Sequence, residues 1–302
     1  MYTAMSAQSG AQSGAQSGAQ SGNTGVGMSS CCLSGKVHEG NPKGRVEEIA
    51  GLQTYVAEPK DGSKKRTVIF LVDIFGWQFP NVRLLADQYA EAGFTAYIPD
   101  AHEGDSIDID FLQTVEPQLS VREQRTTVDS VAATAKTGAT LGPWLLKHRE
   151  AVARPLIEGF INQVRLIPGT NSVGVIGFCW GGRYAILAGH KEFSTGEGKG
   201  VDAVYSCHPS LVSIPADFDP VNVPISFALG DKDSLLGEKE VGQIQELMEK
   251  KKKEEGLVSE VRIYHDQVHG FALRGDFTSE KDKKAMDDSA QQGIEWFKKH
   301  LT

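Results

Sequence analysis

Short apolar runs alternate with amphipathic stretches from residue 45 to the C-terminus, a pattern typical of βαβ units around a parallel sheet. Residues 67–72 (TVIFLV) form a continuous apolar run between charged residues, which predicts a central strand buried on both faces. Residues 45–58 predict a leading antiparallel pair of strands that turns at Gly51. We therefore expect an α/β fold in which a mostly parallel central sheet carries helices on both faces.

The same periodicities predict the other elements. Further strands are expected at residues 94–98, 172–178, 201–206, 224–229 and 261–264. Helices are expected from an Asn81 cap to Ala92, from Pro143 onward with an interruption at Pro155, from Gly181, and at residues 238–253 and 283–300. Residues 101–141 have no strong period, and a connection of that length predicts a lid or a wall of a site.

The N-terminal segment has a different character. Residues 7–22 repeat AQSG four times, and a repeat without any apolar residue larger than alanine cannot bury a core. We expect a disordered, low-complexity tail over residues 1–27 and a single α/β domain over residues 28–302. A functional chain that begins at Met28 remains an alternative.

Composition excludes several classes of function. The 302 residues include 31 Lys and Arg against 39 Asp and Glu, and the resulting net charge of −8 opposes binding to nucleic acid. No apolar run reaches the ~18 residues of a membrane span, and no secretory signal is recognisable, so we predict a cytoplasmic protein. The four cysteines, irregularly spaced, predict neither a disulfide framework nor a zinc site, and Cys31 and Cys32 are interpreted as small residues of a docking segment.

The strongest chemical motif is the segment VGVIGFCWGGRYA, in which Gly177 and Gly181 flank Cys179 at equal distance. It lies between a predicted buried strand and a predicted helix. A strand that reverses sharply into a helix needs glycines on both sides of a strained nucleophile, because other side chains would collide. The start of the helix also directs N–H groups at the sulfur and favours the thiolate. We predict that Cys179 is a nucleophile.

An acid and a histidine follow Cys179 in the order that α/β-hydrolases use. The acid belongs to the GDKD segment, and His269 follows the last predicted strand. His269 is expected to take the thiol proton while a carboxylate orients its ring. Asp231 and Asp233 compete for that role, and we favour Asp233 because it lies further along the loop.

The loop after the first central strand is expected to complete the site. In hydrolases of this architecture the loop supplies one N–H of the oxyanion hole and the residue after the nucleophile supplies the other, here Ile74 and Trp180. Asp73 then places a carboxylate beside the thiol, where we expect it either to restrain the thiol until substrate arrives or to cap a turn. His208 is interpreted as a wall residue of the pocket.

Taken together, DIFGWQFPN, GFCWGGRYA, the GDKD segment and VHGFALR resemble the dienelactone hydrolase family, including its carboxymethylenebutenolidase-like eukaryotic members. The resemblance extends from about residue 45 to the C-terminus. It implies the α/β-hydrolase fold and a cysteine hydrolase of small esters or lactones, with an acyl-thioester intermediate and the triad Cys179, Asp233 and His269. It also implies that Arg274 binds a carboxylate of the substrate.

Two other functions remain open. Bacterial members have Glu in place of Asp73 and place Arg and Tyr after the third strand, where this chain has residues 101–105 (AHEGD). Loss of those two residues would loosen carboxylate selection and favour a general small-ester carboxylesterase. The alternative of another class is a non-enzymatic ligand-binding or thiol-sensing protein. In each case we expect a small-molecule partner and neither a metal nor an organic cofactor.

Overall fold

The computed structural model of the chain describes residues 40–111, 126–194 and 200–302. The predicted tail, Cys31 and Cys32 lie outside the described residues, as do residues 112–125 of the predicted lid. Within the described ranges, eight strands form one sheet. Their bounds are β1 Arg45–Ile49, β2 Leu52–Ala57, β3 Arg66–Leu71, β4 Thr95–Pro99, β5 Ser172–Phe178, β6 Ala203–Cys207, β7 Ile225–Gly230 and β8 Ser259–Tyr264.

Eight α-helices accompany these strands in the described part of the chain. Their bounds are α1 Pro80–Glu91, α2 Thr127–Lys147, α3 Glu150–Arg165, α4 Trp180–Ala188, α5 Lys191–Ser194, α6 Glu238–Glu255, α7 Phe271–Arg274 and α8 Glu280–His300. A 3₁₀ turn covers Ile109–Phe111. No helix among the described residues is long and apolar enough to cross a membrane.

The sheet has the order β1-β2-β4-β3-β5-β6-β7-β8. β2 runs antiparallel to both of its neighbours, whereas every other neighbouring pair is parallel. The carboxyl ends of β3, β5, β6, β7 and β8 therefore meet along one edge. The loops that leave this edge contain the candidate residues predicted from the sequence.

Each face of the sheet packs against its own layer of helices. Ile69, Val175 and Phe227 contribute to the core beneath α3, α4 and α6. Their alternating neighbours, such as Phe70 and Ile176, join the core beneath α1 and α8. Because successive side chains of a strand point to opposite faces, a run that is apolar throughout fits a strand covered on both sides. The predicted architecture is confirmed.

The helix boundaries differ from the prediction at three places. Asn81 is not the cap of α1; Phe79 holds that position, and the Asn81 amide instead donates to the Leu273 carbonyl over 2.7 Å. Pro155 does not interrupt its helix, because it lies in the second turn of α3, where it displaces a single intrahelical hydrogen bond. Pro143 likewise lies inside α2, which begins well before it. The ends of these helices are therefore set by contacts of the whole helix and not by the preference of a single residue.

Gly174 shows how closely α8 approaches the sheet. A Cβ atom at this position of β5 would lie 2.5 Å from the ring of Phe297, a fully buried residue of α8. Gly242 of α6 provides the contrast, because nothing lies within 4 Å of the corresponding Cβ position.

Replacing Gly174 with alanine is expected to lower the free energy of unfolding by about 1–3 kcal/mol, since the added methyl overpacks the core. The control Gly242→Ala should leave the free energy of unfolding unchanged or raise it by up to ~1 kcal/mol, because alanine favours a helix interior more than glycine does. Urea denaturation measures both values. Equal effects in the two variants would contradict the packing described for α8.

Candidate active site

Cys179 lies at a sharp reversal between β5 and α4. Its backbone φ of 53° falls in the left-handed region, which a non-glycine residue adopts only where the surroundings impose it. A Cβ atom at Gly177 would lie 2.2 Å from the Gly181 carbonyl oxygen, and one at Gly181 would lie 2.1 Å from the carbonyl oxygen of Leu71. Both glycines are therefore required by close backbone approach, the reason anticipated from the sequence.

His269 and Asp233 form a buried pair. The ring nitrogen Nδ1 of His269 lies 2.8 Å from Oδ2 of Asp233, and each side chain is 1% exposed. The other carboxylate oxygen, Oδ1, accepts hydrogen bonds from the backbone N–H groups of Leu235 and Leu236 at 2.8 and 3.2 Å. The carboxylate is thus fixed by its own loop and in turn fixes the orientation of the imidazole.

Asp231 has a different set of partners. Its carboxylate contacts Nδ1 of His265 at 3.0 Å and accepts the backbone N–H of Asp266 at 2.6 Å. These bonds stabilise the turn after β8 and do not involve His269. Of the two aspartates that compete in the sequence, the structure brings Asp233 to the histidine.

The charges of Cys179 and His269 support each other. Burial is the largest single influence and disfavours the thiolate, but the charge of His269, together with the smaller influences that favour the thiolate, holds the pKa of Cys179 below its ordinary value. Burial also disfavours the imidazolium, yet the negative charges of Asp233 and Cys179 hold the pKa of His269 well above its ordinary value. The arrangement therefore favours a thiolate beside an imidazolium.

Asp73 and Arg274 form a second buried ion pair, between Oδ2 and Nη1, with side chains 1% and 5% exposed. Asp73 also accepts the backbone N–H of Phe75 over 3.0 Å, and the guanidinium of Arg274 lies 5.2 Å from the centre of the Phe75 ring. The negative charge of Asp73 raises the pKa of Cys179 and the positive charge of Arg274 lowers it, both less strongly than burial and His269 act. The pair thus lies within electrostatic reach of the sulfur.

Two hydrogen bonds hold the turn after β3. The backbone N–H of Phe75 donates to the Asp73 carboxylate, and that of Gly76 donates to the Asp73 carbonyl over 3.1 Å. Neither turn bond involves the N–H of Ile74. Trp180 is the first residue of α4, so its N–H has no acceptor within that helix. These are the two groups that the sequence predicts for an oxyanion hole.

Aromatic and histidine side chains line the same region. The ring of His102 lies 4.8 Å from that of Trp180 and 5.0 Å from that of Trp144, between centres. His208 lies 5.0 Å from His269 in an edge-to-face contact. Because both histidines are buried, their pKa values lie below the ordinary range, to about 3 for His102. The predicted wall position of His208 thus becomes a direct contact with the candidate catalytic histidine.

Sequence reasoning did not identify Ser210. This residue lies in the loop after β6, with its hydroxyl 3.5 Å from the sulfur of Cys179. Its position three residues beyond a strand that ends at the same edge of the sheet was the available signal. No group of three or more His, Cys, Asp or Glu side chains in the described ranges is arranged to hold a metal ion.

The family model of the dienelactone hydrolase family matches residues 52–301. The chain belongs to the dienelactone hydrolase family. It is 25% identical over 278 residues to the hydrolase pyvD of Aspergillus violaceofuscus. That alignment covers 92% of this chain and 99% of the relative. It is 26% identical over 272 residues to the human carboxymethylenebutenolidase homolog. That alignment covers 85% of this chain and 91% of the human protein.

Solved structures confirm the α/β-hydrolase fold. A putative dienelactone hydrolase from Klebsiella pneumoniae superposes with a TM-score of 0.59 at 20% identity, covering 82% of this chain and 93% of that chain. The dienelactone hydrolase from Anabaena variabilis superposes with a TM-score of 0.56 at 17% identity, covering 88% and 100% of the two chains. The match of the family model confirms the family predicted from the motifs, and membership identifies the chain as a carboxylic ester hydrolase.

The two aspartates provide a matched pair for mutation. Asp233→Asn is expected to lower kcat by roughly 10⁴-fold, the scale of the corresponding change in a serine-protease triad, because the amide selects the wrong imidazole tautomer. Asp231→Asn should cost about 1 kcal/mol of stability and leave kcat nearly unchanged, since it affects only a turn. Ester hydrolysis and thermal unfolding measure the two effects. The reverse pattern would exchange the roles of the two residues.

Proposed function

We propose that this hydrolase cleaves small esters or lactones with Cys179 as the nucleophile and an acyl thioester as the intermediate. The observation that carries the proposal is the buried arrangement in which Asp233 orients His269 and the charge of His269 favours the thiolate. A thiolate at the start of a helix is also stabilised by the positive end of the helix dipole. In this proposal Cys179, Asp233 and His269 form the catalytic triad.

The first half of the reaction acylates the enzyme. The thiolate of Cys179 attacks the carbonyl carbon of the ester, and the negative charge that develops on the carbonyl oxygen is met by the N–H groups of Ile74 and Trp180. The tetrahedral intermediate collapses as the carbon–oxygen bond to the alcohol breaks. His269 donates its proton to the departing alkoxide, which leaves an acyl thioester and a neutral imidazole.

The second half releases the acid. The neutral His269 takes a proton from a water molecule, and the resulting hydroxide attacks the thioester carbon. The carbon–sulfur bond then breaks, and the thiolate forms again beside the imidazolium. One ester or lactone and one water thus give a carboxylic acid and an alcohol, joined in one product when the substrate is a lactone. Asp233 stabilises the charged imidazole at the stages where it exists.

The preferred substrate charge is the second part of the proposal. Arg274 is the cation that the resemblance assigns to a substrate carboxylate, but its charge is already balanced by the buried carboxylate of Asp73. With a net charge of −8, the chain as a whole also disfavours anions at long range. This pairing favours the general small-ester carboxylesterase, which accepts neutral esters, over strict selection of carboxylate-bearing lactones. A location in the cytoplasm remains a prediction from the sequence.

The proposed nucleophile is tested by three variants. Cys179→Ala and His269→Ala should each lower kcat for a p-nitrophenyl ester by several orders of magnitude, and the double variant should lose little more, because triad members act as a unit. Steady-state kinetics measure these losses. Additive losses of a few-fold would contradict the assignment. A covalent active-site probe that fails to label Cys179 would also contradict Cys179 as the nucleophile.

Substrate charge is tested with a carboxylate-bearing lactone and its methyl ester. The variant pair is the wild type and Asp73→Asn/Arg274→Gln, which removes both charges so that no unpaired carboxylate remains buried. We expect kcat/KM for the two substrates to change in parallel, because the ion pair supports the site without binding the substrate carboxylate. A loss of about 10² or more for the acid alone would assign carboxylate recognition to Arg274.

A further inference from the structure

Ser210 reaches the proposed nucleophile from the loop after β6. Its Oγ lies 3.5 Å from Sγ of Cys179, and its backbone N–H donates to the Cys179 carbonyl over 3.0 Å. The residue is 5% exposed. A buried hydroxyl that has left bulk water requires a partner inside the protein, and the sulfur is the partner that this geometry provides.

The loop that contains Ser210 is tied to the helix that begins beside the nucleophile. Arg183 of α4 donates to the carboxylate of Asp217 through Nε at 2.7 Å and Nη2 at 3.1 Å. The same carboxylate accepts the backbone N–H of Ser213 over 2.8 Å. Because one helix orients both Cys179 and this loop, the separation between the hydroxyl and the sulfur is set by bonded structure on each side.

The start of the same loop is strained. His208 has a φ of 37°, in the left-handed region, and immediately precedes Pro209. Its ring packs against His269. Strained backbone of this kind persists where the surrounding structure imposes it and is common beside reactive groups. The loop therefore contacts both ends of the thiolate–imidazolium pair, His269 through His208 and Cys179 through Ser210.

We propose that Ser210 is a further catalytic residue, whose hydroxyl donates a hydrogen bond to the Cys179 thiolate. This hydrogen bond breaks when the sulfur bonds to the substrate carbon. The assignment of donor and acceptor follows from chemistry, because a thiolate has no proton to donate. This role rests on the proposed function of Cys179. Its effect on the thiol is nevertheless measurable without any substrate.

The direction in which the pKa of Cys179 changes when the Ser210 hydroxyl is removed distinguishes a donating hydroxyl from an accepting one. A hydrogen bond to the charged form of an acid lowers its pKa, so loss of a donating hydroxyl must raise the pKa of Cys179. A hydroxyl that accepts from the neutral thiol has the opposite influence, and its loss must lower that pKa. The charged and titratable groups that also act on the sulfur or on its histidine partner, and that must be retained in every variant, are Asp73, His208, Asp233, His269 and Arg274.

The experiment measures the pKa of the Cys179 thiol from the pH dependence of its alkylation. The full chain and its Ser210→Ala variant are alkylated with iodoacetamide over a range of pH, and the rate of modification of the peptide that contains Cys179 is followed by mass spectrometry. The midpoint is expected to rise by about one pKa unit in Ser210→Ala, the scale of one hydrogen bond to a charged group. Ser210→Thr retains the hydroxyl and should restore the original midpoint.

A buried serine elsewhere provides the control. Ser289 of α8 is 2% exposed and donates to the Met286 carbonyl over 2.9 Å. Ser289→Ala should therefore leave the Cys179 midpoint unchanged, although it also removes a buried hydroxyl. If Ser210→Ala does not fold, the variants Ser210→Thr and Ser210→Val, which have nearly the same shape, provide the same comparison of a hydroxyl with a methyl.

An unchanged or lowered midpoint in Ser210→Ala would overturn the role proposed for Ser210. Failure of the proposed function has a separate signature, since Cys179→Ala would then retain ester hydrolysis whatever the thiol titration shows. Hydrolysis kinetics complete the assignment. A donor to the thiolate predicts that the pH dependence of kcat/KM moves with the alkylation midpoint, whereas a purely structural serine lowers thermal stability without moving either profile.

Discussion

The reversal of the chain at Cys179 is the constraint on which the rest of the site depends. α4 approaches β5 and the end of β3 so closely there that Gly177 and Gly181 tolerate no side-chain carbon, and Cys179 itself adopts a left-handed backbone. This geometry raises the sulfur above the edge of the sheet and points the start of α4 at it. The core packed on both faces of the sheet holds the strained turn in place.

Around the turn, buried charges are arranged in pairs. Asp233 balances His269, and Arg274 balances Asp73, with all four side chains at most 5% exposed. Unpaired charges at such depth would cost several kcal/mol each. The proposed reaction moves one proton and one negative charge within this set, so the protein meets each change of charge with groups already in position.

The family assignment and the site geometry contribute different things. Membership in the dienelactone hydrolase family identifies a carboxylic ester hydrolase with a known fold. The geometry of the described residues supports a particular nucleophile, orients its partners and adds Ser210, which neither the motifs nor the comparisons indicate. The internal ion pair of Arg274 supports the proposal that the enzyme accepts neutral esters, because a cation already neutralised by Asp73 offers little to an anionic ligand.

Sequence alone determined the features that depend on local pattern. The continuous apolar runs predicted the buried strands, and the two glycines flanking Cys179 predicted the turn, because backbone collision is a local property. Strand order along the chain also predicted that Cys179, His269 and an aspartate would meet. Only tertiary structure decided between Asp231 and Asp233, paired Arg274 with Asp73 and brought Ser210 to the sulfur. Those choices depend on the directions of side chains that leave separate loops, and such directions are set by the packing of distant segments.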